Sequence, residues 1–225
     1  MTSATLVPAA STRSSHRAVH TAGITPALPG LDPAALERSF AVCQRVVAAR
    51  ARNFYYGLRL TPEPRRSAVY AIYAWMRAGD DAVDAQTDAA AQRRALHDFR
   101  ERTRVVLGGI GGPAEGGGEN LCSGDSFWPA FAATVHSYNL DRAHLDGMLA
   151  GLEEDLTHAQ YATDLDLERY CHRVASTVGL VCVQIWGVRE GLSSTDAQRI
   201  PDLAARRGQA FQLTNILRDF REDYD

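Results

Sequence analysis

The chain has 225 residues, of which 45% are hydrophobic and 23% are charged, and these values are typical of one folded domain. Its net charge of -3 argues against nucleic acid as a partner, because phosphate backbones are bound by basic surfaces. No apolar run is long enough to span a membrane, and the cysteines lack the spacing of a zinc site. We therefore expect a cytoplasmic protein with reduced thiols at Cys43, Cys122, Cys171 and Cys182.

Two segments are expected to lie outside the packed domain. Residues 1–30 are rich in Ser, Thr, Ala and Pro and contain no acidic residue, which predicts a disordered N-terminal tail. Their Arg and Ser content also fits an organelle transit peptide, so both interpretations stay open. Residues 108–124 are dense in glycine and lack periodicity, which predicts a flexible insertion. The remainder, residues 31–225, is expected to form a single domain.

Apolar positions at helical spacing predict an all-α bundle of about seven or eight helices, and no alternating run of the kind that forms strands occurs. The first two helices are expected to begin after Asp32-Pro33 and Thr61-Pro62, where a capping residue precedes proline. The predicted helices are residues 32–52, 62–84, 88–106, 127–138, 141–157, 165–186 and 194–223. The second helix is so apolar before its acidic end that we expect it to be buried on most sides.

Two rows of polar side chains at helical spacing stand out in this pattern. At about 100° per residue, each row covers a narrow arc of one helix face. The first row is Tyr73, Arg77, Asp80 and Asp84, and the second is Gln212, Asn215, Asp219 and Asp223. Aspartates at positions i and i+4 repel each other unless a cation lies between them. We expect the two rows to face each other across a cavity.

The paired aspartates have two interpretations. A DxxxD pair considered alone indicates a solvated helix face. Here the first pair follows a strongly apolar segment, and the second continues a row of amides beside the apolar residues Phe211, Leu213, Ile216 and Leu217. Oxygen ligands without His or Cys indicate a hard ion, Mg²⁺ or Mn²⁺, which completes its coordination with water and phosphate oxygens. The pattern therefore favours a magnesium-bridged diphosphate.

Three separated runs carry a resemblance to a known family: YGLRLTPEPRRSAVYAIYAWMRAGDDAVDA, YCHRVASTVG and QLTNILRDFRED. From about residue 35 to residue 225, the chain resembles the squalene and phytoene synthases, and FYYGLRL and VASTVGLVCVQIWG are similar to bacterial presqualene diphosphate and squalene synthases. The resemblance implies an isoprenoid synthase helical bundle around a central cavity. It also implies Mg²⁺-dependent head-to-head condensation of two farnesyl or geranylgeranyl diphosphates, through a cyclopropylcarbinyl diphosphate, to a C30 or C40 isoprenoid. Of the two products we favour C30.

The resemblance further implies roles for individual residues. Two or three Mg²⁺ ions would be held with the diphosphates by Asp80, Asp84, Asn215, Asp219 and Asp223. Substrate would be bound by Phe54, Tyr73, Arg77, Ala175, Gly179, Gln212 and Asn215, and the catalytic residues would be Arg77 and Tyr170. NADPH would be required if the product is squalene, and release of an apolar product would bring the protein to a membrane surface.

Each of these roles has a structural alternative. Arg77 could neutralise a neighbouring aspartate one turn away. Tyr170 and the other aromatic residues could be core residues, and Ala175 and Gly179 could simply allow close helix packing. At the level of the whole protein, two other functions stay open: non-catalytic binding of a prenyl diphosphate or lipid, and a terpene cyclase of similar fold.

The chain departs from the family pattern in two places. Near Phe54 the family commonly carries His and Ser, whereas this chain has Arg50, Ala51, Arg52 and Asn53, so we expect altered diphosphate contacts. The chain stops at Asp225, where relatives continue. We therefore expect the bundle to lack its C-terminal helices and to expose apolar surface on its core helices.

Overall fold

The computed structural model describes residues 32–108, 126–157 and 160–220. The predicted tail at 1–30, nearly all of the glycine-rich insertion, Cys122 and Asp223 lie outside these ranges. Within them every regular element is helical and no strand occurs, which confirms the all-α prediction. The helices are α1 Pro33–Arg50, α2 Arg52–Arg59, α3 Arg65–Asp84, α4 Ala89–Gly108, α5 Trp128–Ser137, α6 Arg142–Asp155, α7 Asp164–Cys171, α8 Thr177–Trp186 and α9 Ser194–Asp219, with a π-helical turn at His172–Ser176 between α7 and α8.

The start of α1 follows the predicted cap, and the starts of α3 and α9 do not. The Asp32 carboxylate accepts hydrogen bonds from the backbone nitrogens of Ala34 and Ala35, each at 3.1 Å. Helix α3 begins at Arg65, three residues later than expected, with Pro64 as its N-cap and no side-chain cap. The Glu63 carboxylate accepts the backbone N–H of Ser67 at 3.1 Å. Helix α9 is capped by Ser193, one residue before the predicted Ser194.

Helix α2 is an element that sequence periodicity did not predict. The first helix was expected to continue to residue 52, but α1 ends at Arg50 and α2 begins at Arg52. This eight-residue helix has no side-chain cap, and its N-cap Ala51 is in the right-handed helical conformation. Because the turn between the helices keeps helical backbone angles, no breaker residue marks it in the sequence.

Helix α3 lies at the centre of the molecule and packs against α1, α4 and α5. Trp75 is only 1% exposed and stacks on Phe131, with ring centroids 4.9 Å apart. Its indole nitrogen donates a hydrogen bond to Thr103 Oγ1 at 3.0 Å, so the polar group of this buried aromatic residue is satisfied. The predicted burial of α3 is therefore confirmed, and its acidic end is held by a rigid core.

The second half of the bundle is built around the π-helical turn, which packs against α6 and α9. The Ser176 hydroxyl donates a hydrogen bond to the Ala205 carbonyl of α9 at 2.7 Å. Gly208 lies against the turn so closely that a Cβ there would be 2.6 Å from Ser176 Cα. The single long helix predicted for 165–186 is thus continuous but contains a π-helical turn, and α9 packs against that turn.

The described cysteines agree with the sequence analysis. Cys43 and Cys171 are buried, Cys182 is half-buried, and all three are free thiols. Burial raises the pKa of Cys43 to about 12. None of the helices in the described ranges is both long and apolar enough to cross a membrane.

Candidate active site

The first predicted row lies at the C-terminal end of α3. Asp81, next to that row, forms ion pairs with two arginines. Arg77 Nη2 forms an ion pair with Asp81 Oδ1, and Arg50 Nη2 lies 3.4 Å from the same oxygen. Arg77 Nη2 is also 4.0 Å from Asp84 Oδ2. The structural alternative considered for Arg77 is therefore observed, with Asp81 as its partner. Asp80 does not share these contacts.

Asp80 instead faces a largely apolar cavity of about 210 Å³. The cavity is lined by Trp75, Met76, Asp80, Phe99, Met148, Leu149, Leu152, Asp155 and Val174. Burial raises the pKa of Asp80 to about 6; Arg77 opposes the increase, and the charges of Asp84, Asp81 and Asp155 add to it. A carboxylate that is desolvated in this way is stabilised by a cation brought close to it.

Asp155 lines the same cavity and was missed by the sequence analysis. It is the last residue of α6, and it is exposed to solvent although it forms part of the cavity wall. Part of Asp155 stays open to solvent, yet the desolvation of its carboxylate raises its pKa, and the hydrogen bond from Tyr170 opposes that increase. A signal was present in the sequence: Glu153, Glu154 and Asp155 place three acidic residues at a helix C-terminus, where the helix dipole disfavours negative charge.

Tyr170 lies at the end of α7, beside a second tyrosine. Its ring centroid is 5.0 Å from that of Tyr161, with the planes tilted by 33°. Burial raises the pKa of Tyr170 above its ordinary value, and the hydrogen bond to Asp155 and the charge of Asp155 raise it further. Burial also raises the pKa of Tyr161 to about 12, with contributions from Glu154 and Asp155. Both phenols are therefore protonated at neutral pH.

An ion pair fixes the π-helical turn to the end of α6. Glu154 is 3% exposed, and its Oε2 accepts a hydrogen bond from Arg173 Nη1 at 2.7 Å. Its other oxygen, Oε1, is buried and has no hydrogen-bond partner among the residues described. The charge of Glu154 is thus balanced mainly by one guanidinium, and the contact sets the position of the turn that follows Tyr170.

Replacing Arg173 with methionine is expected to lower the free energy of unfolding by about 2–4 kcal/mol, because Glu154 would stay buried without a counter-charge. The matched control is Arg100→Met, which removes the exposed Arg100–Glu153 ion pair at 3.0 Å on the same turn of α6. That substitution should change the stability by about 1 kcal/mol or less. Urea unfolding measures both variants, and equal losses would contradict the structural role given to Arg173.

The second predicted row lies on the inner side of α9. Gln212, Asn215 and Asp219 are half-buried and follow Gly208 at helical spacing. The Asp219 carboxylate accepts a hydrogen bond from Arg218 Nε at 2.6 Å, and this contact lowers the pKa of Asp219. The other side of α9 presents Phe211, Leu213, Leu217 and Phe220 to solvent. Apolar surface was expected to be exposed on the core helices, and α9 shows it.

The two rows lie on helices joined by a third. Helix α8 packs against both α3 and α9, and α9 packs mainly against α8, α7 and the π-helical turn. In the part of the chain that the structure describes, no three His, Cys, Asp or Glu side chains come close enough together to hold a metal ion. Asp223 is outside that part. The facing of the two rows across one cavity therefore stays a prediction.

The remaining candidate residues differ in their surroundings. Phe54 is 75% exposed on α2, whereas Tyr73 is half-buried against the core. A Cβ on Gly179 would lie 3.1 Å from the Ala204 carbonyl oxygen, and the Ala175 carbonyl oxygen is 2.7 Å from the position of a Cβ on Gly208. The absence of a side chain at Gly179 and Gly208 thus allows close packing of α9, and for Gly179 this is the structural alternative considered above. The contribution of Ala175 and Gly179 to substrate binding stays a prediction.

A family model described as squalene/phytoene synthase matches residues 47–225 of the chain. The chain belongs to the squalene/phytoene synthase family. It is 34% identical over 197 residues to 15-cis-phytoene synthase of Synechocystis sp., which covers 85% of the chain and 55% of that relative. It is also 34% identical over 203 residues to 15-cis-phytoene synthase of Synechococcus elongatus, which covers 88% of the chain and 62% of that relative. This squalene/phytoene synthase family chain thus spans little more than half the length of these relatives.

Solved structures of squalene/phytoene synthase family members share the fold. A dehydrosqualene synthase in complex with ligand superimposes with a TM-score of 0.65 at 28% identity, over 84% of this chain and 59% of that one. A squalene synthase from Alicyclobacillus acidocaldarius gives a TM-score of 0.66 at 25% identity, over 86% of this chain and 65% of that one. These similarities confirm the prediction of an isoprenoid synthase helical bundle. The family match includes both polar rows, Asp155 and Tyr170.

Proposed function

We propose that the protein catalyses the Mg²⁺-dependent head-to-head condensation of two allylic prenyl diphosphates to a C30 or C40 isoprenoid, through a cyclopropylcarbinyl diphosphate. The observation that carries this proposal is the position of Asp80. Its desolvated carboxylate faces an apolar cavity, while the neighbouring arginines pair with Asp81. Negative charge beside an apolar cavity suits a substrate with a metal-bound diphosphate at one end and a hydrocarbon chain at the other.

Two observations fit a magnesium-bridged diphosphate at the end of α3. Asp80 is desolvated, and Arg77 Nε is a buried donor without a hydrogen-bond partner among the described residues. A phosphate oxygen would satisfy that donor. Mg²⁺ would be held by Asp80 and Asp84 on α3 and by Asn215, Asp219 and Asp223 from the second row. When bound, it would stabilise the negative charge of the departing pyrophosphate.

The protein's own residues would then orient the substrate and protect the allylic carbocation. Arg77 would hold a diphosphate oxygen beside α3, while Phe54, Tyr73, Ala175, Gly179 and Gln212 would contact the substrates. Tyr170 would stabilise the carbocation through its ring face or its hydroxyl. Apolar residues on the cavity wall would exclude water, which would otherwise capture the carbocation before the second substrate's double bond attacks it.

The names of the similar proteins differ in the chain length of the product that they indicate. The relatives reported above are named phytoene synthases, whereas the solved structures are named squalene and dehydrosqualene synthases. Our preference for a C30 product rests on the FYYGLRL and VASTVGLVCVQIWG runs. A requirement for NADPH would follow only from a reduced product such as squalene.

Incubation of the protein with Mg²⁺ and either farnesyl or geranylgeranyl diphosphate is expected to release pyrophosphate and to yield a product with twice the carbon number of the substrate. Chelation of Mg²⁺ should stop the reaction, and mass spectrometry with and without NADPH should identify the product. Binding without turnover would indicate a non-catalytic binding protein. A product no larger than its substrate would indicate a terpene cyclase, and either result would overturn the proposal.

A further inference from the structure

The cavity that Asp80 faces has a polar end near solvent and a closed apolar end. Asp80 is half-buried and Asp155 is exposed, and both line the cavity near the C-terminal ends of α3 and α6. Three other lining residues are buried, namely Trp75, Phe99 and Leu149, and we call them the cavity floor. A ligand with an anionic head and an apolar tail would enter with its tail pointing toward the cavity floor.

The depth of the cavity follows from the spacing of its lining residues along two helices that pack against each other. On α3, Trp75 precedes Asp80 by five residues, and on α6, Leu149 precedes Asp155 by six. At about 1.5 Å per residue, each helix places the cavity floor about 7–9 Å below its carboxylate. The cavity volume of about 210 Å³ is also small compared with the roughly 300–1,000 Å³ of typical ligand pockets. The cavity floor therefore limits how much of an apolar chain can enter.

The two rings of the cavity floor are held in place by contacts with the core. The Trp75 ring stacks on Phe131, and its indole nitrogen donates a hydrogen bond to Thr103 Oγ1 at 3.0 Å. The Phe99 ring centroid lies 5.4 Å from that of Trp128 and 6.0 Å from that of Trp75. A longer ligand could not displace either ring without breaking several of these contacts at once.

Leu149 is the aliphatic member of the cavity floor, and it belongs to α6, whereas the rings belong to α3 and α4. It is 1% exposed within the hydrophobic core, so its side chain has no free space into which it could move. Met148, which also lines the cavity, is unbranched and can adapt its shape to a ligand. Of these two neighbours on α6, Leu149 is therefore the one that sets a fixed limit to the cavity.

We infer that Leu149, together with Trp75 and Phe99, selects the length of the prenyl chain and makes farnesyl diphosphate the preferred substrate. Geranylgeranyl diphosphate carries one further isoprene unit, which would have to displace the cavity floor. The inference rests on the proposed function, because that function supplies a prenyl diphosphate whose head lies beside Asp80. Leu149 takes no part in bond breaking and acts only through the space that it fills.

The first test compares the two substrates, each with Mg²⁺ and the full chain. The wild-type protein should prefer farnesyl over geranylgeranyl diphosphate by at least about 10-fold in kcat/KM, since a single methylene group in an apolar pocket can change this ratio by that factor. Leu149→Ala should reduce the preference by about 10-fold or more, and Leu149→Val by less. The matched control is Leu145→Ala, which removes an equally buried leucine of α6 that does not line the cavity. It should leave the preference unchanged.

The second test does not depend on turnover. Calorimetry with Mg²⁺ measures the binding of thiodiphosphate analogues of the two substrates, in which a sulfur atom replaces the oxygen that links the chain to the diphosphate. Leu149→Ala should raise the affinity for the geranylgeranyl analogue relative to the farnesyl analogue by about 10-fold, and Leu145→Ala should not. Circular dichroism establishes that each variant is folded, and Leu149→Val takes the place of the alanine variant if that one is not.

The outcomes separate this inference from the proposed function. Turnover without a preference for farnesyl diphosphate, or an equal effect of Leu149→Ala and Leu145→Ala, would overturn the inference alone. If the wild-type protein shows no turnover, the proposed function fails, while the binding of the analogues still decides whether Leu149 limits the chain. Failure of both analogues to bind would overturn the two together.

Discussion

Replacing Asp80 with asparagine is expected to stop Mg²⁺-dependent pyrophosphate release while making the metal-free protein more stable at neutral pH. Under the proposed function Asp80 would be a ligand of Mg²⁺, so the loss of activity should be at least about 100-fold, since a carboxylate ligand of the metal contributes several kcal/mol to stabilisation of the transition state. The gain in stability has a separate origin. It follows from the cost of keeping a charged carboxylate in a desolvated position.

The pH dependence gives the sign of this effect. Burial raises the pKa of Asp80 from 3.8 to about 6, so the folded protein binds the proton more tightly than the unfolded chain does. The stabilisation linked to that proton is present below the unfolded pKa and is lost as the pH rises through the folded pKa. At neutral pH the charged form destabilises the fold on the order of 1–2 kcal/mol, after allowance for the partial exposure of Asp80. Asparagine removes this destabilisation.

Thermal unfolding of Asp80→Asn and the wild-type protein without Mg²⁺ would measure the difference. The variant should unfold a few degrees higher at about pH 7.5, and the difference should shrink at about pH 4. Asp84→Asn is the matched control, because Asp84 is exposed and belongs to the same row. It should also lose activity but gain no comparable stability. Equal melting temperatures for the two variants at neutral pH would contradict the desolvation of Asp80.

Replacing Gly208 with alanine is expected to destabilise the protein by about 1–3 kcal/mol, although alanine favours a helix over glycine by about 1 kcal/mol. The added Cβ would lie 2.6 Å from Ser176 Cα and 2.7 Å from both C and O of Ala175. These are backbone atoms of the π-helical turn, so they cannot move aside as a flexible side chain can. Helix α9 would have to shift away from the turn, and Gln212, Asn215 and Asp219 would shift with it.

Gly57→Ala provides the control for this prediction, because a Cβ at Gly57 in α2 would have no atom within 4 Å. That substitution should be neutral or should stabilise by up to about 1 kcal/mol. Urea unfolding compares the two variants, and the ratio of activities reports the displacement of the second row. A Gly208→Ala protein as stable as Gly57→Ala would show that α9 does not depend on this close contact.

The features predicted correctly from the sequence are those that depend on residues close together along the chain. Helical spacing located α3 and its acidic end, and the Asp32-Pro33 pair located the start of α1. The sequence did not show that Asp80 and Asp81 would have different environments. These neighbours point about 100° apart on one helix, and only the arginines and apolar residues packed around them decide which carboxylate is desolvated.

Asp155 and the π-helical turn were missed for a related reason. Asp155 reaches the cavity only because α6 packs against α3 and α4, and nothing in its position along the sequence predicts that packing. The turn carries no propensity signal of its own, since its residues also suit an ordinary α-helix. By contrast, apolar surface was expected to be exposed on the core helices, and exposed apolar residues are found on α9.

The π-helical turn also has a consequence for how this part of the chain can vary. An α-helix advances by about 100° per residue, so one extra residue in a turn changes the phase of everything that follows relative to everything before. Here Cys171, which is buried, lies before the change, and Gly179, which packs against α9, lies after it. Deletion of one residue from the π-helical turn would rotate α8 by about 100° relative to α7. Either Cys171 would leave its buried position or α9 would lose its close contact with this segment, so insertions and deletions should be tolerated less between residues 170 and 179 than substitutions are.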